Sequence, residues 1–205
     1  TQWEISADLA EDFEPVFEEH IQQAAQGEVL YNDDTDALIL ERMMELQERK
    51  AQDDPKERTG TFTSGIVATA SGYRVALFFT SGRHAGENLE TVLAKRRSVA
   101  PPIQMCDGLA RNLPQELKTI VSNCLAHGRR KFVDVADEFP EEVEHFLLEI
   151  AKVYLHEAQA KERGMSAQQR LACHQEKSRP VMAELGTWMS GLIFGGQVEP
   201  HGVLG

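Results

Sequence analysis

The chain has 205 residues, 41% of them hydrophobic and 26% charged, which is the composition of an ordinary globular protein with one sizeable core. No apolar run is long enough to span a membrane, and three cysteines (Cys106, Cys124, Cys173) are too few and odd in number for a disulfide framework, so we expect a cytoplasmic protein without a membrane partner. The net charge of -12 argues against general nucleic-acid binding, although the triplets at 95–97 and 129–131 could still form a locally basic face.

The first predicted element is an acidic amphipathic helix over residues 3–25, with Pro15 as a candidate break. It leads into the stretch 27–41, which contains Asn32-Asp33-Asp34 between apolar segments. One interpretation is a single long strand, buried after the acids, whose carboxylates meet a cation. The other is a tight Asn-Asp-Asp turn between two short strands. The local sequence leaves both open.

The elements that follow alternate between strands and helices. Residues 41–56 are highly charged and predict an exposed helix or a mobile excursion. Ser71-Gly72 predicts the turn of a β-hairpin. The further predictions are strands at 60–70, 73–80, 103–106 and 122–126, and helices at 87–97, 113–121, 127–137, 143–161 and 167–194, the last capped by Ser166 and interrupted at Pro180.

This order predicts an α/β fold, a ribonuclease H-like mixed sheet with flanking helices and a C-terminal helical region. We divide the chain into a helical lead-in (1–26), a partial ribonuclease H-like core (27–138) and a helical insertion or extension (139–205). In such a fold, acids on the first and fourth strands lie side by side, and Asp33 and Asp107 occupy those two places. Paired carboxylates suit Mg²⁺ or Mn²⁺, whereas Asp107-Gly108 alone would more often be only a turn that ends a strand.

Several motifs then occur in a specific order and spacing. They are 23–30, 32–35, 58–66, 76–80, 84–89, 103–107 and 123–132, the last reading Asn-Cys-Leu-Ala-His-Gly-Arg-Arg-Lys-Phe. In these stretches the chain resembles the transposases of the IS66 class of bacterial insertion sequences, which carry a DDE-type, ribonuclease H-like nuclease core. The resemblance covers nearly the whole chain.

The resemblance implies that Asp33 and Asp107 are catalytic and bind a pair of Mg²⁺ or Mn²⁺ ions. It implies transposon-end DNA as the substrate and a possible homo-oligomer. The third acid of the family, a Glu in an Asn-Asn-x-x-Glu-Arg motif, has no counterpart in this sequence. We therefore expect the central part of a transposase, inactive by itself. The alternatives are a catalytically dead remnant that serves as a protein-interaction domain through helices 141–194 and, least favoured, a nuclease that works alone.

Other candidate residues have competing interpretations. Asp34, Cys124 and His127 could position the site or simply support the fold. A zinc site would need Cys173 and His174 to complete the pair Cys124 and His127. Arg129, Arg130 and Lys131 could contact DNA phosphates, or the arginines could pair with the acidic helix that follows. On that helix, Glu142, Glu144 and Glu149 could replace the third acid but are more typical of a solvated face.

Overall fold

The computed structural model describes residues 1–39 and 60–199. The chain divides into two compact units, Thr1–Cys124 and Leu125–Gly205. Leu40 lies outside the described residues, and so does the exposed helix or mobile excursion predicted at 41–56. The three-part division predicted from the sequence stays a prediction.

The first unit is built around a five-stranded sheet. Its strands are β1 (Val29–Asp36), β2 (Phe62–Ala70), β3 (Tyr73–Ser81), β4 (Ile103–Cys106) and β5 (Ile120–Asn123), and its helices are α1 (Gln2–Ala25) and α2 (Ala85–Leu93). The strand order is β3-β2-β1-β4-β5. β1, β2 and β3 are antiparallel, whereas β4 runs parallel to β1 and β5 parallel to β4. This is the mixed α/β sheet of a ribonuclease H-like fold, as predicted.

The core of this unit lies between the sheet and its two helices. Side chains alternate along the strands, so one face of the sheet is apolar and buried. The last turns of α1 and one face of α2 cover it. The core residues are Ile21, Ala24, Ala25, Leu30, Ile66, Ala68, Val75, Leu77, Leu89, Val92 and Leu93.

β1 continues through the acidic residues without turning. Asp33 pairs with Gly65 and Asp34 with Ser64 in the antiparallel ladder to β2. The turn interpretation is therefore wrong, because every residue of the acidic stretch has a partner on β2. The prediction that the strand continues, buried, into the apolar residues after the acids is also wrong. The strand ends at Asp36, and Leu38 is 85% exposed.

Two helix predictions differ from the structure. α1 continues through Pro15, although an interior proline removes a backbone hydrogen bond and crowds the preceding turn. The helix predicted at 113–121 does not form. After a 3₁₀ turn at Ala110–Asn112, an irregular loop takes the place of its beginning and β5 that of its end. In that loop the N–H groups of Gln115, Glu116 and Leu117 donate to the Glu90 carboxylate on α2.

The second unit is helical. Its elements are α3 (Leu125–Asp134), α4 (Pro140–Glu162), α5 (Ala167–Cys173), a π-helical turn (His174–Ser178) and α6 (Arg179–Phe194). Phe146, Ile150 and Leu185 form its core, and Phe132 stacks on Phe146 at 3.6 Å between ring centroids. Ser166 caps α5, as predicted, and the π-helical turn comes directly before Pro180. None of the helices in the described residues is long and apolar enough to cross a membrane.

Candidate active site

Asp33 lies on β1, and Asp107 directly follows β4, the parallel neighbour of β1. In the β1–β4 ladder, Leu30 pairs with Gln104 and Tyr31 with Met105. Continuing this register by two residues on each strand sets Asp33 beside Asp107. Both lie two residues beyond the last pair, which is the spacing at which strand side chains return to the same face. Asp33 is exposed and Asp107 is half-buried.

The charges of both carboxylates affect the pKa of the buried Cys106 thiol. Burial is the main reason that the pKa of Cys106 is raised, and the negative charges of Asp107 and Asp33 raise it further, against a hydrogen bond from the Gly108 N–H. Both acids therefore lie within electrostatic reach of one buried group. The raised pKa keeps the Cys106 thiol protonated and neutral next to them.

Neutral donors orient the carboxylate of Asp107. Its Oδ1 accepts the backbone N–H of Leu109 at 3.0 Å and the Nδ2 amide of Asn112 at 2.7 Å. Gly108 makes this tight turn with φ +83°, a conformation that glycine adopts without strain. Both donors are neutral and bind the same oxygen, so together they fix the orientation of the carboxylate.

A layer of buried amides supports this turn. Gln104 Nε2 donates to Asn32 Oδ1 and to the carbonyl oxygen of Asn112, both at 2.8 Å. Asn32 Nδ2 donates to the same Asn112 carbonyl at 2.8 Å, and Thr119 donates to Gln104 Oε1 at 2.7 Å. Asn32, Gln104 and Asn112 are at most 3% exposed. The layer ties β1, β4 and the 3₁₀ turn together directly behind the two acids.

The start of α2 also holds the 3₁₀ turn in place. A Cβ at Gly86 would lie 2.3 Å from the carbonyl oxygen of Leu113 and 2.7 Å from that of Arg111. Only glycine allows this approach, so Gly86 lets α2 pack directly against the backbone of the turn. The sequence analysis missed Asn32, Gln104 and Asn112. A polar Gln104 in the short apolar strand 103–106 was the one signal that could have revealed them.

Asp34 lies on the opposite face of β1 from Asp33. Its side chain is 1% exposed. It accepts hydrogen bonds from Ser64 Oγ at 2.7 Å and His84 Nδ1 at 3.2 Å, and Asn88 donates to Ser64 at 2.9 Å. The carboxylate of Asp34 thus fixes β1 to β2 and to the start of α2. Its own N–H donates to Asp33 Oδ1 at 2.9 Å.

The remaining candidates follow β5. Cys124 is half-buried, and its N–H donates to the Cys106 carbonyl at 2.7 Å. His127 is half-buried in the first turn of α3. Cys106, Cys124 and Cys173 are free thiols.

The basic residues Arg129, Arg130 and Lys131 are exposed on α3. Within the described residues no carboxylate forms an ion pair with any of them, so the alternative that the arginines pair with the following acidic helix finds no support there. With Tyr154, Ala126 and Val133, the two arginines line a shallow cleft in the second unit.

The acids fit a hard divalent cation in the chemistry of their donors, because carboxylate oxygens are the ligands that Mg²⁺ and Mn²⁺ prefer. Over residues 1–39 and 60–199, however, no three His, Cys, Asp or Glu side chains come together in a metal-binding group. The zinc site considered for Cys124, His127, Cys173 and His174 is therefore not formed. Of the acids considered as a third ligand, Glu149 forms an ion pair with Lys152 at 2.5 Å.

Comparison with known proteins gives one finding. A family model described as the transposase IS66 family matches residues 2–205. No curated protein and no solved structure matches the chain.

Proposed function

Because the chain belongs to the IS66 family of transposases, we propose that Asp33 and Asp107 are two catalytic carboxylates of a site that cleaves and joins DNA. The observation that carries this proposal is the parallel register of β1 and β4, whose last pair, Tyr31 with Met105, lies two residues before each acid. The amide layer behind them supports it, since a catalytic pair must be held rigidly.

Mg²⁺ or Mn²⁺ would be held by the carboxylates of Asp33 and Asp107. When bound, such ions stabilise charge on the attacking and leaving oxygens of a phosphodiester. The protein's own part is to orient the carboxylates. Asn112 and the Leu109 N–H hold Asp107, the N–H of Asp34 donates to Asp33, and the buried Asp34 fixes the strand that carries it.

The proposed substrate is transposon-end DNA, and the proposed location is the cytoplasm. Activity requires a third carboxylate, which the resemblance places in an Asn-Asn-x-x-Glu-Arg motif. We propose that residues 1–205 alone bind the cation weakly and do not cleave DNA. Oligomerisation stays a prediction from the resemblance.

The second candidate is a catalytically dead remnant that acts as a folded interaction domain. It is favoured by one observation, the lack of a third metal-binding acid among the described residues. The two candidates differ in whether Asp33 and Asp107 still bind a cation.

A titration with Mn²⁺, followed by electron paramagnetic resonance of the free ion, separates them. We expect wild-type protein to bind Mn²⁺ at least about tenfold more tightly than Asp33→Asn or Asp107→Asn, because each variant loses a charged ligand. Asp36→Asn, an exposed residue at the end of β1, is the matched control and should bind like wild type.

Equal Mn²⁺ binding by wild type and both site variants would contradict the proposed metal site and favour the interaction domain. If the site is present, a chain extended through the motif that carries the third acid should cleave transposon-end DNA in Mg²⁺, and its Asp33→Asn and Asp107→Asn variants should not.

A further inference from the structure

The N-terminal half of α1 carries an apolar stripe that the described protein does not cover. Only Ile21, Ala24 and Ala25 of this helix are buried. Trp3 is 80% exposed and Phe13 is 61% exposed. The other members of the stripe, 38–61% exposed, are Ile5, Leu9, Val16 and Phe17. A contiguous apolar patch of this kind on a globular protein marks an interaction surface.

The stripe has the spacing of a helix-packing face. Ile5, Leu9, Phe13 and Phe17 follow one another at intervals of four residues, and Val16 lies beside them. At about 100° per residue, all the apolar positions fall on one half of the helix. The other half carries seven acids: Glu4, Asp8, Glu11, Asp12, Glu14, Glu18 and Glu19. Residues 2–25 contain no Lys or Arg, so negative charge borders the stripe on both sides.

We propose that this stripe binds a basic amphipathic helix of a protein partner, with apolar anchors on the α1 stripe and Lys or Arg facing the flanking acids. Helix-on-helix recognition uses anchors at this spacing. A shallow depression on α1 combines apolar and acidic groups, since it is lined by Ala10, Phe13 and Phe17 together with Glu11 and Glu14. A Lys or Arg packs its aliphatic stem on apolar groups and directs its charge toward carboxylates.

Charge excludes two other occupants. A second copy of α1 would bring acidic edges against acidic edges, which destabilises paired helices. An anionic membrane surface would repel the same acids. The proposal concerns a surface distant in sequence from Asp107 and does not depend on the metal site.

The experiment uses the full chain and two synthetic helical peptides with the same leucine stripe. One peptide has Lys and Arg at the positions that flank the stripe, and the other has Glu there. Binding is followed by the fluorescence of Trp3, with the Trp3→Phe protein measured to subtract the signal of Trp188. We expect the basic peptide to bind, to shift Trp3 emission to shorter wavelength and to bind more weakly as salt rises.

Leu9→Glu should lower the affinity for the basic peptide at least about tenfold, because the variant places a charged side chain of similar size in the apolar contact. Leu148→Glu is the matched control: Leu148 is 61% exposed on α4, and its variant should bind like wild type. Circular dichroism checks that both variants keep their helices.

Three results would overturn the proposal. The first is that the acidic peptide binds as tightly as the basic one, and the second is that Leu9→Glu leaves binding unchanged. The third is that sedimentation shows a dimer of the chain that Leu9→Glu converts to monomer. The last result would assign the stripe to a second copy.

Discussion

Asp33 and Asp34 are adjacent in sequence, but they have different environments because side chains alternate along a strand. Asp33 is exposed, whereas the side chain of Asp34 is buried against Ser64 and His84. A shift of β1 by one residue would exchange them, placing the wrong carboxylate at the site. The hydrogen bonds of Asp34 therefore fix the register that presents Asp33.

Asn112 is the residue whose loss should affect Asp107 most directly. In Asn112→Ala, Asp107 loses its shortest hydrogen bond, and the carboxylate gains freedom to rotate. We expect Mn²⁺ affinity to fall by about tenfold, the lower end of the range for residues that orient metal ligands. Mn²⁺ titration measures this directly.

Thr119→Val is the control for that variant. It removes one hydrogen bond from the same amide layer, to Gln104, but leaves both donors to Asp107 in place. The free energy of unfolding should fall by about 1 kcal/mol, with Mn²⁺ affinity nearly unchanged. If Asn112→Ala lowers stability in the same way without weakening Mn²⁺ binding, Asn112 supports the fold and does not position Asp107.

At the scale of elements, Glu90 on α2 organises the loop between β4 and β5. Backbone N–H bonds from Gln115 and Glu116, with a weaker one from Leu117, lower the pKa of Glu90 below its ordinary value of 4.5, although desolvation opposes them. A lowered pKa in the folded state means that the ionised form stabilises the fold. This contribution is complete above the unfolded-state pKa and is lost as the pH falls through the folded-state pKa.

Glu90→Gln should therefore destabilise the protein by about 1 kcal/mol at pH 7, a modest value because Glu90 is only partly buried. The difference from wild type should shrink as the pH falls below 4.5. Urea unfolding at several pH values measures it. Glu116→Gln, the same charge change at an exposed loop residue, should cost less than about 0.5 kcal/mol. A penalty for Glu90→Gln that stays constant down to acid pH would contradict this account.

The contrast between β1 and this loop explains what could be predicted from the sequence. Strands such as 73–81 have their own apolar alternation, and the order of strands was enough to predict that β1 and β4 are neighbours. The loop at 113–119 has a local helical pattern, but its N–H groups bond to Glu90, 25 to 27 residues earlier. Asn112 likewise depends on contacts with Asn32 and Gln104 that no local pattern reveals.

At the scale of the whole molecule, the charge is strongly divided. The chain carries a net charge of -12, and seven of its acids lie on α1 alone. The exposed triplet Arg129, Arg130 and Lys131 has no ion-pair partner in the described part of the chain, whereas Lys95 of the other triplet is paired with Glu18 at 3.7 Å and Arg96 donates to the carbonyls of Ala25 and Gly27. If DNA binds this protein, the triplet on α3 is the better candidate for contacts with phosphate.

The double variant Arg129→Gln/Arg130→Gln tests this through the salt dependence of DNA binding. Each phosphate contact contributes about 0.9 to the slope of log affinity against log salt concentration, so losing both should lower the slope by about 1.8 and weaken binding uniformly across sequences. Fluorescence anisotropy with a labelled duplex, repeated over a range of salt concentrations, gives the slope.

The double variant Lys95→Gln/Arg97→Gln changes the net charge by the same amount and serves as the control. It should leave the slope unchanged, since the charges that it removes are not those proposed to contact phosphate. An equal loss of slope in both variants would mean that DNA responds to the net charge of the protein and not to a local basic face. On an acidic chain that distinction is decisive, because the long-range field repels DNA and only localised cations in direct contact with phosphates can bind it.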